Sequence, residues 1–371
     1  MAHVTAEELD LDAILADLRE LVEIESPSHD VDALNESAEA LASIIERRVG
    51  STPALVDGRD GPHVHWSGGG DPKVLLLGHH DTVFPLGTLD RRPFEVSDGV
   101  VRGPGVFDML GGIVQALHGL EVAQRAGVDL SGVEMLFSAD EEVGSITSRE
   151  LIEQRAAACG AVLVLEGAAP GGALKTGRKG CGTFEVVVHG RAAHAGLEPE
   201  KGANALIEAA HQVVRIAEIG RPELGTTVTP TVASAGTADN VVPAEARIRV
   251  DVRVESSDEA ARVEAAMAGL AAVDAQTKLE VLGGVNRPPM PESSSATLFP
   301  LAQAIDPEVE GVAVGGGSDG NFTAAIGVAT LDGLGAIGGG AHADSEHVEL
   351  DTMRPRAALV ANLVTAILTR P

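Results

Sequence analysis

Apolar residues follow two different spacings in the first half of this chain. They recur at helical spacing over residues 11–24 and 33–47, and each stretch predicts an amphipathic helix. Three later runs are short and largely apolar: Val74–Leu77, Val133–Phe137 and Ala161–Leu165. Such runs are typical of strands buried on both faces of a mostly parallel sheet, and helical patterns separate the later ones. The first half is therefore predicted to be α/β, a sheet flanked by helices.

The order of predicted elements changes at about Thr183. The pattern predicts strands at 183–189, 226–235, 245–254 and 278–282 and helices at 201–218 and 257–273. Ser257 or Asp258 is the expected N-cap of the second helix. The resulting β-α-β-β-α-β order is that of a ferredoxin-like α+β domain.

The α/β pattern returns after Arg287, and a closing amphipathic helix follows at about 352–368. A chain of 371 residues exceeds the usual size of one core, so two domains are expected. We predict that the larger domain is built from residues 1–178 and 287–371, with residues 179–286 inserted between them.

Composition and charge narrow the possible partners. The net charge of −28 would repel a polyanion, so neither nucleic acid nor an anionic membrane is expected as a partner. Cys159 and Cys181 are too few for a disulfide framework or a thiolate zinc site. The sequence shows neither signal-peptide features nor an uninterrupted apolar run of bilayer length, which favours a cytoplasmic location.

The triplet His79-His80-Asp81 follows a predicted buried strand, at the end where open α/β sheets place their sites. A histidine that binds a metal is usually oriented by a carboxylate, and Asp81 could do this for His79. Taken alone, the triplet fits a surface loop better than a metal site.

Acidic residues mark two further places. Asp108 lies in a glycine-flanked loop before a helix, and Glu141-Glu142 follows the strand Val133–Phe137. One glutamate of such a pair can bind a metal while the other handles a proton. Asp108 could instead be a helix cap, and the glutamates a solvated helix start.

Eight pieces of sequence together resemble a known family. They are HHDTV, GPGVFDMLGG, ADEEVGS, VLEG, GRAAHAG, NVVP followed by DVR, GGGSDGN and AHADSEH. In this order and spacing they resemble the family of acetylornithine deacetylases, succinyl-diaminopimelate desuccinylases and glutamate carboxypeptidases. The likeness covers essentially the whole chain and is greatest to the glutamate carboxypeptidase branch.

The resemblance implies a site for two zinc ions, for which cobalt or manganese could substitute. The implied ligands are Asp108 as the bridge, His79 and Glu166 on one ion, and Glu142 and His342 on the other. Glu141 would be the general base. The resemblance also implies a cis peptide bond between Asp108 and Met109. Leu110 departs from the pattern, since many relatives have lysine there.

The same resemblance assigns roles in the inserted domain, which would be a lid and dimerisation domain of a homodimer. His194 would stabilise the oxyanion, in the active site of its own chain or of the partner subunit. Asn240, Arg253 and Arg287 are similar to positions that hold the carboxylate of the substrate. The alternative is that they are ordinary surface polar residues and salt-bridge partners.

These expectations describe a zinc-dependent amide hydrolase that releases an amino acid with a free carboxylate from a small peptide or N-acyl amino acid. A dipeptidase or an N-acyl-amino-acid deacylase is the alternative within enzymes. A non-catalytic scaffold that kept the fold is the alternative outside them. Glu141 argues against the scaffold, because a scaffold needs no proton acceptor beside its metal ligands.

Overall fold

A computed structural model describes residues 3–370. The chain forms two compact units. The smaller unit consists of Arg178–Pro289 together with Gly315–Gly317, and the larger unit consists of the remaining described residues. The smaller unit therefore starts one residue before the predicted insertion, ends three residues after it, and includes a short glycine segment from later in the chain.

The described residues contain nine α-helices and sixteen strands. The helices are α1 (Leu11–Val22), α2 (Val31–Val49), α3 (Gly111–Arg125), α4 (Arg149–Ala158), α5 (Ala205–Ala217), α6 (Ser257–Ala268), α7 (Phe299–Ile305), α8 (Gly320–Ala325) and α9 (Met353–Leu368). The strands are β1 (Ala54–Val56), β2 (His63–Ser67), β3 (Val74–His79), β4 (Glu95–Ser97), β5 (Val100–Arg102), β6 (Val133–Ser138), β7 (Ala161–Val164), β8 (Leu174–Arg178), β9 (Gly180–His189), β10 (Thr227–Ala235), β11 (Glu245–Val254), β12 (Lys278–Arg287), β13 (Gly311–Val314), β14 (Ala329–Leu331), β15 (Gly338–Gly339) and β16 (His347–Glu349).

The larger unit contains a six-stranded sheet in the order β1-β2-β6-β3-β7-β14. Strand β3 is parallel to β6 and β7, and β14 is parallel to β7, whereas β1 and β2 form an antiparallel edge. Successive residues of β3 alternate between two cores: Val74 and Leu76 join the larger one, and Leu75 and Leu77 the smaller one that includes Ile152 of α4. The predicted sheet flanked by helices is confirmed.

The smaller unit has a four-stranded sheet in the order β10-β11-β9-β12. All neighbouring strands are antiparallel, as a ferredoxin-like β-α-β-β-α-β unit requires. Side chains of α5 and α6 pack with the sheet in one hydrophobic core, exemplified by Ile216, Ile248 and Val263. The predicted α+β unit is confirmed.

Some predicted boundaries were wrong. Strand β3 extends to His79, two residues beyond the predicted end at Leu77. Helix α6 ends at Ala268, before the weak helix former Gly269, and not at residue 273. Its N-cap is Ser256, whose hydroxyl accepts a hydrogen bond from the backbone N–H of Glu259, rather than residue 257 or 258.

The helical segment Val106–Arg125 is apolar and long enough to cross a bilayer by length and composition. It is, however, 89% buried within the chain over the apolar window. A helix that is apolar on all sides and covered by protein is a core helix.

A buried carboxylate joins the first three helices of the larger unit. Asp17 of α1 accepts hydrogen bonds from Arg48 Nε of α2 at 2.7 Å and from His118 Nε2 of α3 at 2.9 Å, and Arg47 Nη2 lies 3.2 Å away. Burial acts to raise the pKa of Asp17, but the hydrogen bonds from His118 and Arg48 outweigh it and hold the pKa below its ordinary value. The ionised side chain therefore ties α1 to α2 and α3.

We expect Asp17→Asn to lower the free energy of unfolding by about 3 kcal/mol at pH 7, because it removes the negative charge and one acceptor oxygen from a buried ion pair. Since the folded pKa lies below the unfolded one, this contribution is complete above the unfolded pKa and is lost as the pH falls toward the folded pKa. Urea denaturation of wild type and variant at pH 7 and at acidic pH measures both effects.

The matched control is Glu20→Gln, whose side chain is 42% exposed and also pairs with Arg47. An exposed pair contributes at most about 1 kcal/mol. A loss in Asp17→Asn no larger than that of this control would contradict the role of Asp17.

Candidate metal centre

The parallel strands of the larger unit bring several candidate ligands to one edge of the sheet. His79 is the last residue of β3 and is in register with Ser138, the last residue of β6. Glu141 and Glu142 follow β6 in a single 3₁₀ turn, and Glu166 follows the end of β7. Because these strands are parallel, their carboxyl ends meet at the same edge.

The carboxylate of Asp108 lies between the two candidate histidine ligands. Its Oδ1 is 3.2 Å from His79 Nε2, and its Oδ2 is 3.2 Å from His342 Nε2. Glu142 Oε2 lies 3.0 Å from His342 Nε2, and Glu166 Oε1 lies 3.8 Å from His79 Nε2. The arrangement gives Asp108 one oxygen for each side of a two-part site, as a bridging ligand requires.

Asp81 orders both His79 and the glutamate pair. Nδ1 of His79 donates to the backbone carbonyl of Asp81 at 2.9 Å, which leaves Nε2 facing the site. The buried Asp81 carboxylate accepts hydrogen bonds from the backbone N–H groups of Glu141 and Glu142, each at 3.2 Å, and from the Ser28 hydroxyl at 2.7 Å. Asp81 therefore fixes the turn that carries the two glutamates.

The donor set fits divalent cations. Imidazole nitrogens and carboxylate oxygens are ligands that zinc accepts, and two groups of them converge within 4.8 Å: His79, Asp108 and Glu142, and His79, Glu141 and Glu166. Glu142 Oε1 is buried and has no hydrogen-bond partner among the described residues. A cation would satisfy this buried acceptor.

The carboxylates also give the site a strong attraction for positive charge. Hydrogen bonds to Asp108 and Glu142 raise the pKa of His342 to about 10, although partial burial opposes the shift. Burial lowers the pKa of His79, but contacts with Asp108 and Asp81 outweigh it, and the pKa is raised.

The peptide bond between Asp108 and Met109 is cis, so this prediction is confirmed. The turn around it is anchored by Glu346, whose carboxylate accepts hydrogen bonds from the backbone N–H groups of Gly105, Phe107 and Asp108. Burial raises the pKa of Glu346 to about 7, even though these three bonds act in the opposite direction.

Three acidic residues that support the site were missed by the sequence analysis: Asp140, Asp319 and Glu346. Asp140 accepts hydrogen bonds from the backbone and side chain of Thr147, and Asp319 accepts one from the Ser145 hydroxyl. All three lie within the quoted pieces ADEEVGS, GGGSDGN and AHADSEH. The position of these three residues within the motifs was the signal that could have identified them. A motif, however, does not distinguish a supporting residue from a metal ligand.

Two residues beside the ligands face away from them. His80 is buried, and its ring contacts the Ser37 hydroxyl at 3.1 Å and the Pro62 carbonyl at 3.0 Å. Leu110, the position that departs from the pattern of the resembled family, is buried in the hydrophobic core of the larger unit. Neither is among the candidate ligands.

His194 and Asn240 lie together at one end of the smaller unit. Residues 193–195 and 240–242 extend the β9–β11 pairing beyond the strands, and His194 pairs with Val241. Nδ1 of the exposed His194 ring accepts hydrogen bonds from the backbone N–H groups of Gly196 and Leu197 at 3.1 and 3.2 Å. This arrangement makes Nε2 the hydrogen-bond donor of the neutral ring.

Arg253 and Arg287 lie at the opposite end of the same sheet. Both pair with Cys181 of β9, Arg253 from β11 and Arg287 from β12, so the two side chains share one face. Arg253 also donates to the neighbouring Asp251 carboxylate at 2.9 Å, which is the alternative salt-bridge role. Strand β11 separates the two ends: Glu245 to Arg253 spans about 26 Å at about 3.3 Å per residue.

Comparisons with known proteins identify the family. Residues 176–277 match the model of a peptidase dimerisation domain. The chain is 32% identical to carboxypeptidase G2 of Pseudomonas sp. (strain RS-16), over 95% of this chain and 88% of that protein. It is 26% identical to succinyl-diaminopimelate desuccinylase of Xanthomonas euvesicatoria pv. vesicatoria (strain 85-10), over 81% of this chain and 85% of that protein.

The chain belongs to the M20 peptidase family. The fold agrees, since an M20 family metallo-carboxypeptidase of Sulfolobus solfataricus superposes with a TM-score of 0.75 at 16% identity, covering 96% of this chain and 98% of that one. The family predicted from the motifs is confirmed. As a member of this family, the chain is a metallohydrolase, and its reaction uses a metal cofactor.

We expect a divalent cation to stabilise the protein through Asp108. Zinc at about 100 times its Kd should raise the melting temperature by about 5 °C or more, because it binds the folded chain. Differential scanning fluorimetry with zinc, cobalt and manganese measures the shift, and chelator should reverse it. In Asp108→Asn the shift should largely disappear, whereas Asp344→Asn, an exposed control in the His342 loop, should keep it. A full shift in Asp108→Asn would contradict the ligand assignment.

Proposed function

We propose that this chain uses two zinc ions per subunit to hydrolyse an amide bond and release an amino acid with a free carboxylate, as a glutamate carboxypeptidase does. The observation that carries the proposal is the Asp108 carboxylate between His79 and His342, with the Glu141-Glu142 turn beside it. Cobalt or manganese could substitute for zinc. The names of the relatives, a carboxypeptidase and a desuccinylase, support hydrolysis of an amide next to a carboxylate.

Glu141 is the proposed general base. Its side chain is buried near His79 and Glu166, and its backbone N–H is held by Asp81. Two divalent cations in this site would polarise the amide carbonyl and lower the pKa of a water molecule. Glu141 takes the proton of the attacking water and delivers it to the nitrogen of the leaving amine.

The positions of the substrate-binding candidates support a shared site in a homodimer. His194 and Asn240 lie at one end of the sheet, and Arg253 and Arg287 at the other, so one chain cannot bring all four to one small substrate. In the proposed dimer, the arginines hold the substrate carboxylate in one subunit. His194 of the second subunit donates from Nε2 to the oxyanion.

The proposed dimer interface is formed by α5 and the edge strand β10. Leu206, Ile207 and Val214 of α5 are more than half exposed, as is Val232 of β10. Within the described part of the chain, strand β10 pairs only with β11, so its other edge has no strand partner. Exposed apolar residues beside an open strand edge are typical of an interface between copies.

Glu141→Gln should keep both metals and the fold but lower kcat by about 10²- to 10⁴-fold, because an amide cannot accept the proton. Metal content by mass spectrometry and amine release from a panel of peptidyl and N-acyl amino acids give the two measurements. Glu150→Gln, an exposed glutamate of the same segment, is the control.

The same panel tests the substrate class. Preference for C-terminal glutamate peptides supports the carboxypeptidase. Preference for dipeptides or N-acyl amino acids would replace it with one of the alternatives. Near-wild-type turnover in metal-loaded Glu141→Gln would refute the general base.

The double variant Ile207→Glu, Val232→Glu should be monomeric in light scattering, because it places charges in the proposed interface. Its kcat/KM should fall at least about 10-fold, since His194 can then no longer reach a partner's site. Leu55→Glu, on an exposed residue of the larger unit, should stay dimeric and active. A fully active wild-type monomer at assay concentration would defeat the shared site.

A further inference from the structure

Glu346 is a buried carboxylate whose partners are all backbone N–H groups. Its Oε2 accepts from Gly105 at 3.0 Å, and its Oε1 accepts from Phe107 at 2.9 Å and from Asp108 at 3.1 Å. The side chain is fully buried, and no basic side chain pairs with it among residues 3–370. Converging N–H donors form a cradle that holds an anion in place of water.

The register of two short strands brings Glu346 to this cradle. Strand β16 is antiparallel to β5, with His347 opposite Arg102. The segment before β16 carries His342 and Glu346, and the segment after β5 leads into the turn with Asp108. In that turn Gly105 has φ +75°, a conformation that glycine adopts without strain, and a Cβ there would lie 2.7 Å from Thr82.

One side chain thus connects the two loops that supply the bridging ligand and the exposed histidine ligand. Glu346 binds the peptide N–H of Asp108 itself, and it follows His342 by four residues in the same loop. Within that loop, Ala343 N–H donates to the Gly340 carbonyl and Glu346 N–H to the Ala343 carbonyl. The 3.2 Å approach of Asp108 to His342 therefore depends on two loops joined through Glu346.

We infer that Glu346 is a positioning residue that sets the geometry between the bridging Asp108 and His342, and thereby the affinity of this side of the site for a divalent cation. It does not touch the reacting atoms, since its oxygens are occupied by backbone donors. The inference rests on the metal site of the proposed function. It adds a residue outside the ligand set on which metal affinity depends.

The test is the zinc affinity of Glu346→Gln, measured by competition with a fluorescent chelator. The amide keeps one acceptor oxygen but turns an NH₂ group toward a backbone donor, so the cradle loses at least one bond. Residues that orient metal ligands typically change affinity 10- to 100-fold, and a weakening of that size is expected. Glu346→Asp, which keeps the charge but is one methylene shorter, should be intermediate. The exposed Glu349→Gln on the adjoining strand is the control and should stay within about 2-fold.

Two further readouts separate positioning from a general loss of stability. Circular dichroism and the urea midpoint should show a folded Glu346→Gln protein, and excess zinc should recover most of kcat with KM little changed. If Glu346→Gln does not fold, Glu346→Asp decides by its affinity. Wild-type zinc affinity in a folded Glu346 variant, with affinity lost in Asp108→Asn, would overturn the role of Glu346 alone. Absence of zinc binding by the wild type would overturn the proposed function as well.

Discussion

Repulsion among four carboxylates is the constraint on which the rest of the larger unit depends. Asp108, Glu141, Glu142 and Glu166 gather around His79 at the edge of the sheet, where like charges destabilise one another unless positive charge lies between them. The raised pKa values of the two histidines are a response to this field. Divalent cations would neutralise more of this negative charge than two protonated histidines do. Folding of this region and metal binding are therefore linked.

In the larger unit, a second carboxylate twice binds the backbone N–H groups of these acidic residues and leaves their side chains free to face the site. Asp81 accepts from the backbone of Glu141 and Glu142, and Glu346 accepts from that of Asp108. A bond to the peptide fixes the Cα position, so the ligand starts from the right place before its side chain is oriented. Such preorganisation is what a site of several like charges requires.

The sequence predicted those features that depend on local pattern. The runs that became β3, β6 and β7 were recognisable because strands buried on both faces have no polar alternation. Strands β1, β4 and β5 have three residues each, which is too short for any period to be visible. Glu346 was missed because its partners are backbone groups more than 230 residues away, and backbone donors leave no mark in a sequence.

The candidate ligand positions came from resemblance, and the strand register then separated residues that the resemblance had grouped together. Asn240, Arg253 and Arg287 were expected to act on one carboxylate, yet the sheet places Asn240 far from the arginines. Motif order along the chain gives no information on which end of a strand a residue occupies.

The separation of the chain into two units has a consequence for how such enzymes diversify. Every candidate metal ligand and the proposed general base belong to the larger unit, whereas the residues proposed to hold the substrate carboxylate and the oxyanion belong to the smaller one. Mutations in the smaller unit can therefore alter what is bound while leaving the carboxylate cluster and its supports intact. Selection can therefore act on the choice of substrate separately from the residues that hold the metal.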